Sequence, residues 1–271
     1  MKIAMCTKMT ADQDLLTSIR IAGMIGYDGI EIFCVPNQLP VETPLNVVQQ
    51  AKDIADHYGL KVVNLATYVG GAGQLSEEKG QAFLADLRAY LAMASILNCQ
   101  LLRVGTVTVP SALADAGVWA NAGRWLKQAC RIASEQGASL VIETHANQLA
   151  DSLAGCRKLL EVTSEPNLKL TWDAGSMAVD PQVDYGPKAI AALAEHIAYA
   201  QINGFRSTPT GRVQVFTDES EVDNAAVIRG LRAIGYEGYI GAESHRQPDE
   251  WYDSRGVAER EHWLLRQLVQ E

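Results

Sequence analysis

Four oxygen-bearing side chains close short apolar runs in the second half of the chain: Glu143, Asp173, Gln201 and Glu243. Counting from one to the next gives intervals of 30, 28 and 42 residues. The first two intervals match one strand-plus-helix repeat. The third matches a repeat plus a long loop, Gly204–Val222. Three carboxylates brought to one point repel one another unless a cation sits among them. Together with the amide oxygen of Gln201 they make an all-oxygen shell, which suits a hard divalent ion, Mn²⁺ or Mg²⁺, better than Zn²⁺. An ion so held would act as a Lewis acid on an oxygen-bearing substrate, and carboxylates beside it are suited to acid–base work.

Other side chains fall where they could meet a small substrate. Arg103 ends an apolar run and can grip a carboxylate or hydroxyl, or pair with a neighbouring glutamate. His145 lies two residues after Glu143, on the same side of an extended chain, and His245 bears the same relation to Glu243. Glu31 lies in the second run and is a candidate for substrate hydroxyls or a structural carboxylate. Tyr68 and Trp119 are candidates to wall a pocket, and Arg206 and Arg212 lie in the long loop. Trp172 should point away from Asp173, into packing. His57, His196 and His262 fall in helical stretches and read as surface or packing residues.

The elements that must position these residues alternate along the chain. Eight β-rich runs are expected at Ile3–Thr7, Gly29–Phe33, Lys61–Ala66, Leu101–Gly105, Ser139–Glu143, Leu168–Trp172, Ala198–Ile202 and Gly238–Ala242. Most are continuous apolar runs, as in parallel strands covered on both faces. Helical spacing of apolar residues marks Asp12–Ile25, Glu77–Leu97, Ala120–Gln136, Ser152–Thr163, Lys188–His196, Asn224–Ile234 and Val257–Val269. Ser76 and Asp223 are start signals. Gly26-Tyr27-Asp28-Gly29 and Gly235-Tyr236-Glu237-Gly238 echo one another where a helix hands over to a strand. Eight such units in 271 residues predict an α/β fold, a single-domain (β/α)8 TIM barrel over residues 1–271. In that fold chemistry gathers at the C-terminal ends of the strands. A doubly wound sheet is the alternative, but no GxGxxG follows the first strand. Gly70-Gly71-Ala72-Gly73 has neither the spacing nor the lysine of a phosphate loop and reads as a mobile loop at the barrel mouth.

Ile142-Glu143-Thr144-His145, Trp172-Asp173-Ala174-Gly175 and Gly235–Glu243 resemble the xylose-isomerase-like TIM-barrel superfamily of sugar isomerases and epimerases. Gly26–Ile32 and the closing Glu259–Leu268 helix extend the resemblance to the whole chain. It implies a metal held by Glu143, Asp173, the position of Gln201 and Glu243, with the two glutamates shuttling protons. The superfamily usually has histidine where Gln201 stands; members resembling hydroxypyruvate isomerase carry glutamine there. Ser176 and Asn203 stand where many relatives have histidine and lysine. The run Glu143–Ser152 with Glu165–Lys169 is similar to 3-dehydroshikimate dehydratases of the same fold, whose substrate-contacting residues match Tyr68, Arg103 and His145. The resemblance therefore implies an isomerase or epimerase acting on a small sugar, ketose or hydroxy-oxo acid. A metal-dependent dehydratase of the 3-dehydroshikimate type, or a ligand-binding barrel without catalysis, is the alternative.

Charge narrows the partners. Lys plus Arg number 23 and Asp plus Glu 32, a net charge of −9. A protein held to nucleic acid by phosphate contacts needs a basic surplus, so this balance speaks for a small-molecule substrate. It also disfavours a metal-dependent endonuclease of this fold, as does the count of only 5 histidines. The longest strongly apolar stretch, Ala89–Leu102, is shorter than the roughly 20 residues of a membrane span. Ile3–Cys6 is too short for a signal-peptide core. Five scattered cysteines with no CxxC pair read as buried free thiols. The expectation is a cytoplasmic protein without membrane or nucleic-acid partners, with homo-oligomerisation left open.

Overall fold

A computed structural model describes residues 1–180, 182–244 and 253–270. The barrel strands are β1 (Lys2–Cys6), β2 (Gly29–Phe33), β3 (Lys61–Ala72), β4 (Leu101–Thr106), β5 (Ser139–Glu143), β6 (Leu168–Asp173), β7 (Ile197–Ile202) and β10 (Tyr239–Ala242). All eight are parallel to their neighbours, and β10 pairs with β1 to close the barrel. The strands β8 (Gly204–Thr208) and β9 (Gly211–Val215) form a separate antiparallel hairpin above β7. Around the barrel lie α1 (Leu15–Ile25), α2 (Leu45–His57), α3 (Glu77–Leu97), α4 (Ala116–Ser134), α5 (Leu153–Thr163), the single turn α6 (Ala174–Met177), α7 (Pro187–Ala192), α8 (Asn224–Ala233) and α9 (Ser254–Gln270).

Local chemistry explains the alternation. The strands are buried on both faces, which is why they read as unbroken apolar runs rather than alternating ones. Side chains cap the helix starts: Asp14 accepts from Thr17, Ser76 from Lys79, Asp115 from Val118, Ser152 from Gly155 and Asp223 from Ala226. The echoed glycines do the same work twice. Gly26 ends α1 at φ 93° and Gly235 follows α8 at φ 70°, both left-handed. All five cysteines are buried and free.

Four expectations change. Strand β3 runs six residues past Ala66, because Gly70 pairs with Gly105 and Ala72 with Thr106; the glycine run is paired sheet, not a mobile loop. A side chain at Gly70 would press on the Gly105 backbone at 2.8 Å, so glycine permits that pairing. The segment 204–222 is the β8–β9 hairpin rather than an irregular loop. Helix α2, which contains His57, lies outside the helical stretches delineated by apolar spacing. Its inward face is only Val48, Ala51 and Ala55, too small a stripe to stand out. Trp119 is buried in α4 and is not among the residues that line the cavity at the strand ends. Among the described residues no helix is long and apolar enough to cross a membrane.

Candidate metal centre

Register brings the sequence-selected residues together. Asp173 lies opposite Gln201, Gln201 opposite Gly241, and Glu143 opposite Thr171, two residues before Asp173. Glu243 stands two residues beyond Gly241. Side chains in register or two apart share one side of a sheet, so all four enter the barrel lumen. One carboxylate oxygen from each of Glu143, Asp173 and Glu243 lies within 4.8 Å of the others. Glu143 and Glu243 border a cavity of about 540 Å³ whose charged and polar lining also includes Lys8, Tyr68, Arg103 and His145, while Asp173 is buried behind them.

Each acid has its own support. The Arg103 guanidinium donates from Nη1 to Glu143 Oε2 and from Nε to the Thr67 carbonyl at 3.2 Å. Lys8 Nζ meets Glu243 Oε1 at 3.2 Å. Burial works against the Lys8 ammonium, but Glu243 and its other neighbours outweigh it, and its pKa ends above the ordinary lysine value. Asp173 is fully buried. It accepts from the Ser176 backbone at 3.0 Å, from Ser176 Oγ at 2.6 Å and from Asn203 Nδ2 at 3.1 Å. Burial, followed by the charges of Glu143 and Glu243, nevertheless pushes its carboxyl up to about 6. Gly175 makes room for this clamp: a Cβ there would sit 1.6 Å from Asn203 Oδ1.

Gln201 is buried, and its amide is used asymmetrically. Nε2 donates to Glu31 Oε2 at 2.9 Å, while Oε1 has no hydrogen-bonding partner. Glu31, a candidate for substrate hydroxyls, is engaged by this arrangement. It is 0% exposed, in register with Cys6 and Asn64, and is not among the residues lining the cavity. Its oxygens are occupied by Asn64 Nδ2 at 2.7 Å, Tyr199 OH at 3.3 Å and Gln201. Burial and the charge of Glu243 raise its carboxyl to about 7, against the pull of those donors.

The remaining expectations divide. His145 borders the cavity with Nδ1 2.7 Å from the Ala146 carbonyl, a contact in which Nδ1–H donates and Nε2 is left free to accept. Tyr68 is 61% exposed, with Arg103 4.5 Å from its ring centre and Phe33 packed edge-on at 5.5 Å. Trp172 points outward and donates to the Tyr185 carbonyl at 3.2 Å. Arg212 lies over Phe205 and donates to the Gly175 carbonyl at 3.3 Å, while Arg206 is exposed. His245 lies outside the described residues. Lys8, Ser176 and Asn203 were not singled out as site residues from spacing. A parity signal existed for Lys8: it stands two residues beyond Cys6, which is in register with inward-facing Glu31.

This geometry can hold a hard divalent cation. Three carboxylates meet at the base of a cavity, and a buried amide oxygen lacks a donor; both deficits are relieved by a positive ion. The sequence model of the xylose isomerase-like TIM barrel family matches residues 19–266, and the chain belongs to that family. A comparison with curated proteins gives no match. Among solved structures, the probable 3-DHS dehydratase AsbF involved in petrobactin synthesis in Bacillus anthracis is similar, with TM-score 0.83 and 15% identity, over 98% of this chain and 99% of that one. The IOLI protein with a bound zinc atom gives TM-score 0.84 and 14% identity over 100% and 98%. An L-ribulose 3-epimerase gives 0.78 and 19% over 99% and 94%. At these identities the likeness is one of fold.

Proposed function

We propose that the protein is a divalent-metal-dependent isomerase or epimerase of a small sugar, ketose or hydroxy-oxo acid. The observation that carries this reading is the convergence of Glu143, Asp173 and Glu243 within 4.8 Å at a cavity. Glu143, Asp173, Glu243 and the oxygen of Gln201 would hold the ion, Mn²⁺ or Mg²⁺ by the hardness of the set. When bound, such an ion supplies Lewis acidity that makes a C–H beside a carbonyl easier to break. The proton transfers belong to the chain. Glu143 and Glu243 end β5 and β10, with β6 and β7 between them, so they approach a substrate from different sides. One carboxylate takes the proton and the other returns it. Arg103 on Glu143 and Lys8 on Glu243 fix the two carboxylates in place. His145 and Tyr68 line the cavity where substrate oxygens and carbon skeleton would lie.

Proton NMR in D₂O with a panel of ketoses, oxo acids and 3-dehydroshikimate tests the reading. Deuterium wash-in at a carbon next to a carbonyl, dependent on added Mn²⁺, is the expected result. Loss of water from 3-dehydroshikimate would instead assign the lyase chemistry. Metal binding without exchange or elimination on any member would favour a binding barrel.

Metal affinity should fall in acid. Protons compete for the carboxylates, and Asp173 titrates near 6 in the metal-free chain. Its folded-state pKa is raised above the unfolded value. The contribution of Asp173 to the stability of the metal-free fold is therefore present in acid and lost as pH rises through about 6. A cation that replaces the proton restores it. The gain in Tm on adding Mn²⁺ should be larger at pH 7.5 than at pH 5, read by thermal unfolding. An equal gain at both would contradict competition at Asp173.

A further inference from the structure

Barrel interiors are ordinarily filled with branched apolar side chains. Next to the triad this one carries a buried polar cluster that the proton transfers do not use, joined to it through Gln201, the register partner of Asp173: Glu31 from β2, Asn64 from β3, and Tyr199 and Gln201 from β7. All four are buried, with Glu31, Asn64 and Gln201 at 0% exposure. Buried polar groups persist when their hydrogen bonds are made; here Asn64 Nδ2, Tyr199 OH and Gln201 Nε2 all donate to the Glu31 carboxylate, while Asn64 Oδ1 and Gln201 Oε1 have no partner. Room for the cluster comes from Gly241 on β10: a Cβ there would sit 2.1 Å from the Tyr199 hydroxyl oxygen and 3.3 Å from Gln201 Cγ.

The consequence lies in the amide of Gln201. An amide offers a donor on one side and an acceptor on the other, and rotation by a half-turn exchanges them. Glu31, with both oxygens already accepting, repels an amide oxygen and binds the NH₂. Oε1 is thereby turned away from Glu31, where it has no donor. We propose that Glu31 is a positioning residue that fixes Gln201 with its oxygen toward the carboxylate triad, and so makes the centre a four-oxygen site for a hard cation. This rests on the metal-dependent reading above. It also states what histidine would do at the same position. Glu31 would accept one ring N–H and present the other nitrogen to the ion, converting the donor from oxygen to nitrogen.

The test is a metal titration and needs no substrate. Free Mn²⁺ is followed by electron paramagnetic resonance in wild type, Glu31→Gln, Gln201→Ala and the double variant. Glu31→Gln removes the bias on the amide and should weaken Mn²⁺ binding at least ~10-fold, the usual scale for losing a group that orients a ligand. Gln201→Ala should weaken it without abolishing it, because three carboxylates remain. The double variant should be no weaker than Gln201→Ala alone, since Glu31 then has nothing to orient. Gln201→His, competed with Zn²⁺, should move the Zn²⁺/Mn²⁺ preference at least ~10-fold toward Zn²⁺, and this arm holds if Glu31→Gln fails to fold. Wild-type-like affinity in Glu31→Gln, multiplying losses in the double variant, or an unchanged preference in Gln201→His would each overturn the role of Glu31. No Mn²⁺ binding by wild type would overturn the metal-dependent reading itself, and this inference with it.

Discussion

Glu143→Gln and Glu243→Gln each lower turnover by at least ~10²-fold, the ordinary weight of a proton-transfer group, while the barrel stays folded. Glutamine keeps the shape and an oxygen donor but cannot carry the proton. The loss should therefore persist at saturating Mn²⁺, where any weakening of metal affinity has been overcome. Deuterium exchange separates the two roles. A variant that has lost the base shows no wash-in. A variant that has lost only the returning acid can still exchange the proton while product formation stalls. Near-normal turnover in either variant removes that glutamate from the pair.

Arg103→Met costs the metal-free protein about 1–3 kcal/mol, less than for a fully buried pair because Glu143 borders the cavity and water can reach it. Arg103 is 7% exposed and bonds both Glu143 and the Thr67 carbonyl, so its loss strands a carboxylate already crowded by Asp173 and Glu243. Two companion measurements distinguish this cause from simple loss of packing. Mn²⁺ should recover much of the deficit, because a cation again faces Glu143. The double variant Arg103→Met/Glu143→Leu should also recover stability without metal, since replacing both charges leaves nothing unpaired. Urea unfolding in chelator, with and without Mn²⁺, reads all three. A loss below about 1 kcal/mol in Arg103→Met would show that Glu143 does not depend on the guanidinium.

The barrel was legible because its strands announce themselves: runs such as Leu140–Ile142 and Ile240–Ala242 are apolar on both faces and lie between helices. The acidic set was legible for a related reason. A polar residue that ends a buried parallel strand has few places to go except the barrel mouth, and register then aligns Asp173 with Gln201. What spacing could not supply is vertical position. Glu31 sits in the middle of β2, fully buried and away from the cavity lining, while Glu143 ends β5 and borders the cavity. Partnerships were equally hidden. Ser176 and Asn203 look like substitutions away from histidine and lysine, and only in three dimensions do they bond to Asp173. The β8–β9 hairpin escaped because Thr208–Gly211 separates two strands that are largely exposed, so no apolar run marks them.

The central claim is that Glu143, Asp173 and Glu243 exist to hold a metal ion. Isothermal titration of chelator-treated protein with Mn²⁺, beside Asp173→Ala, tests it most directly. The account predicts a single saturable site per chain in wild type and its loss or severe weakening in the variant. Absence of Mn²⁺ and Mg²⁺ binding by wild type, or unchanged binding in Asp173→Ala, would contradict it.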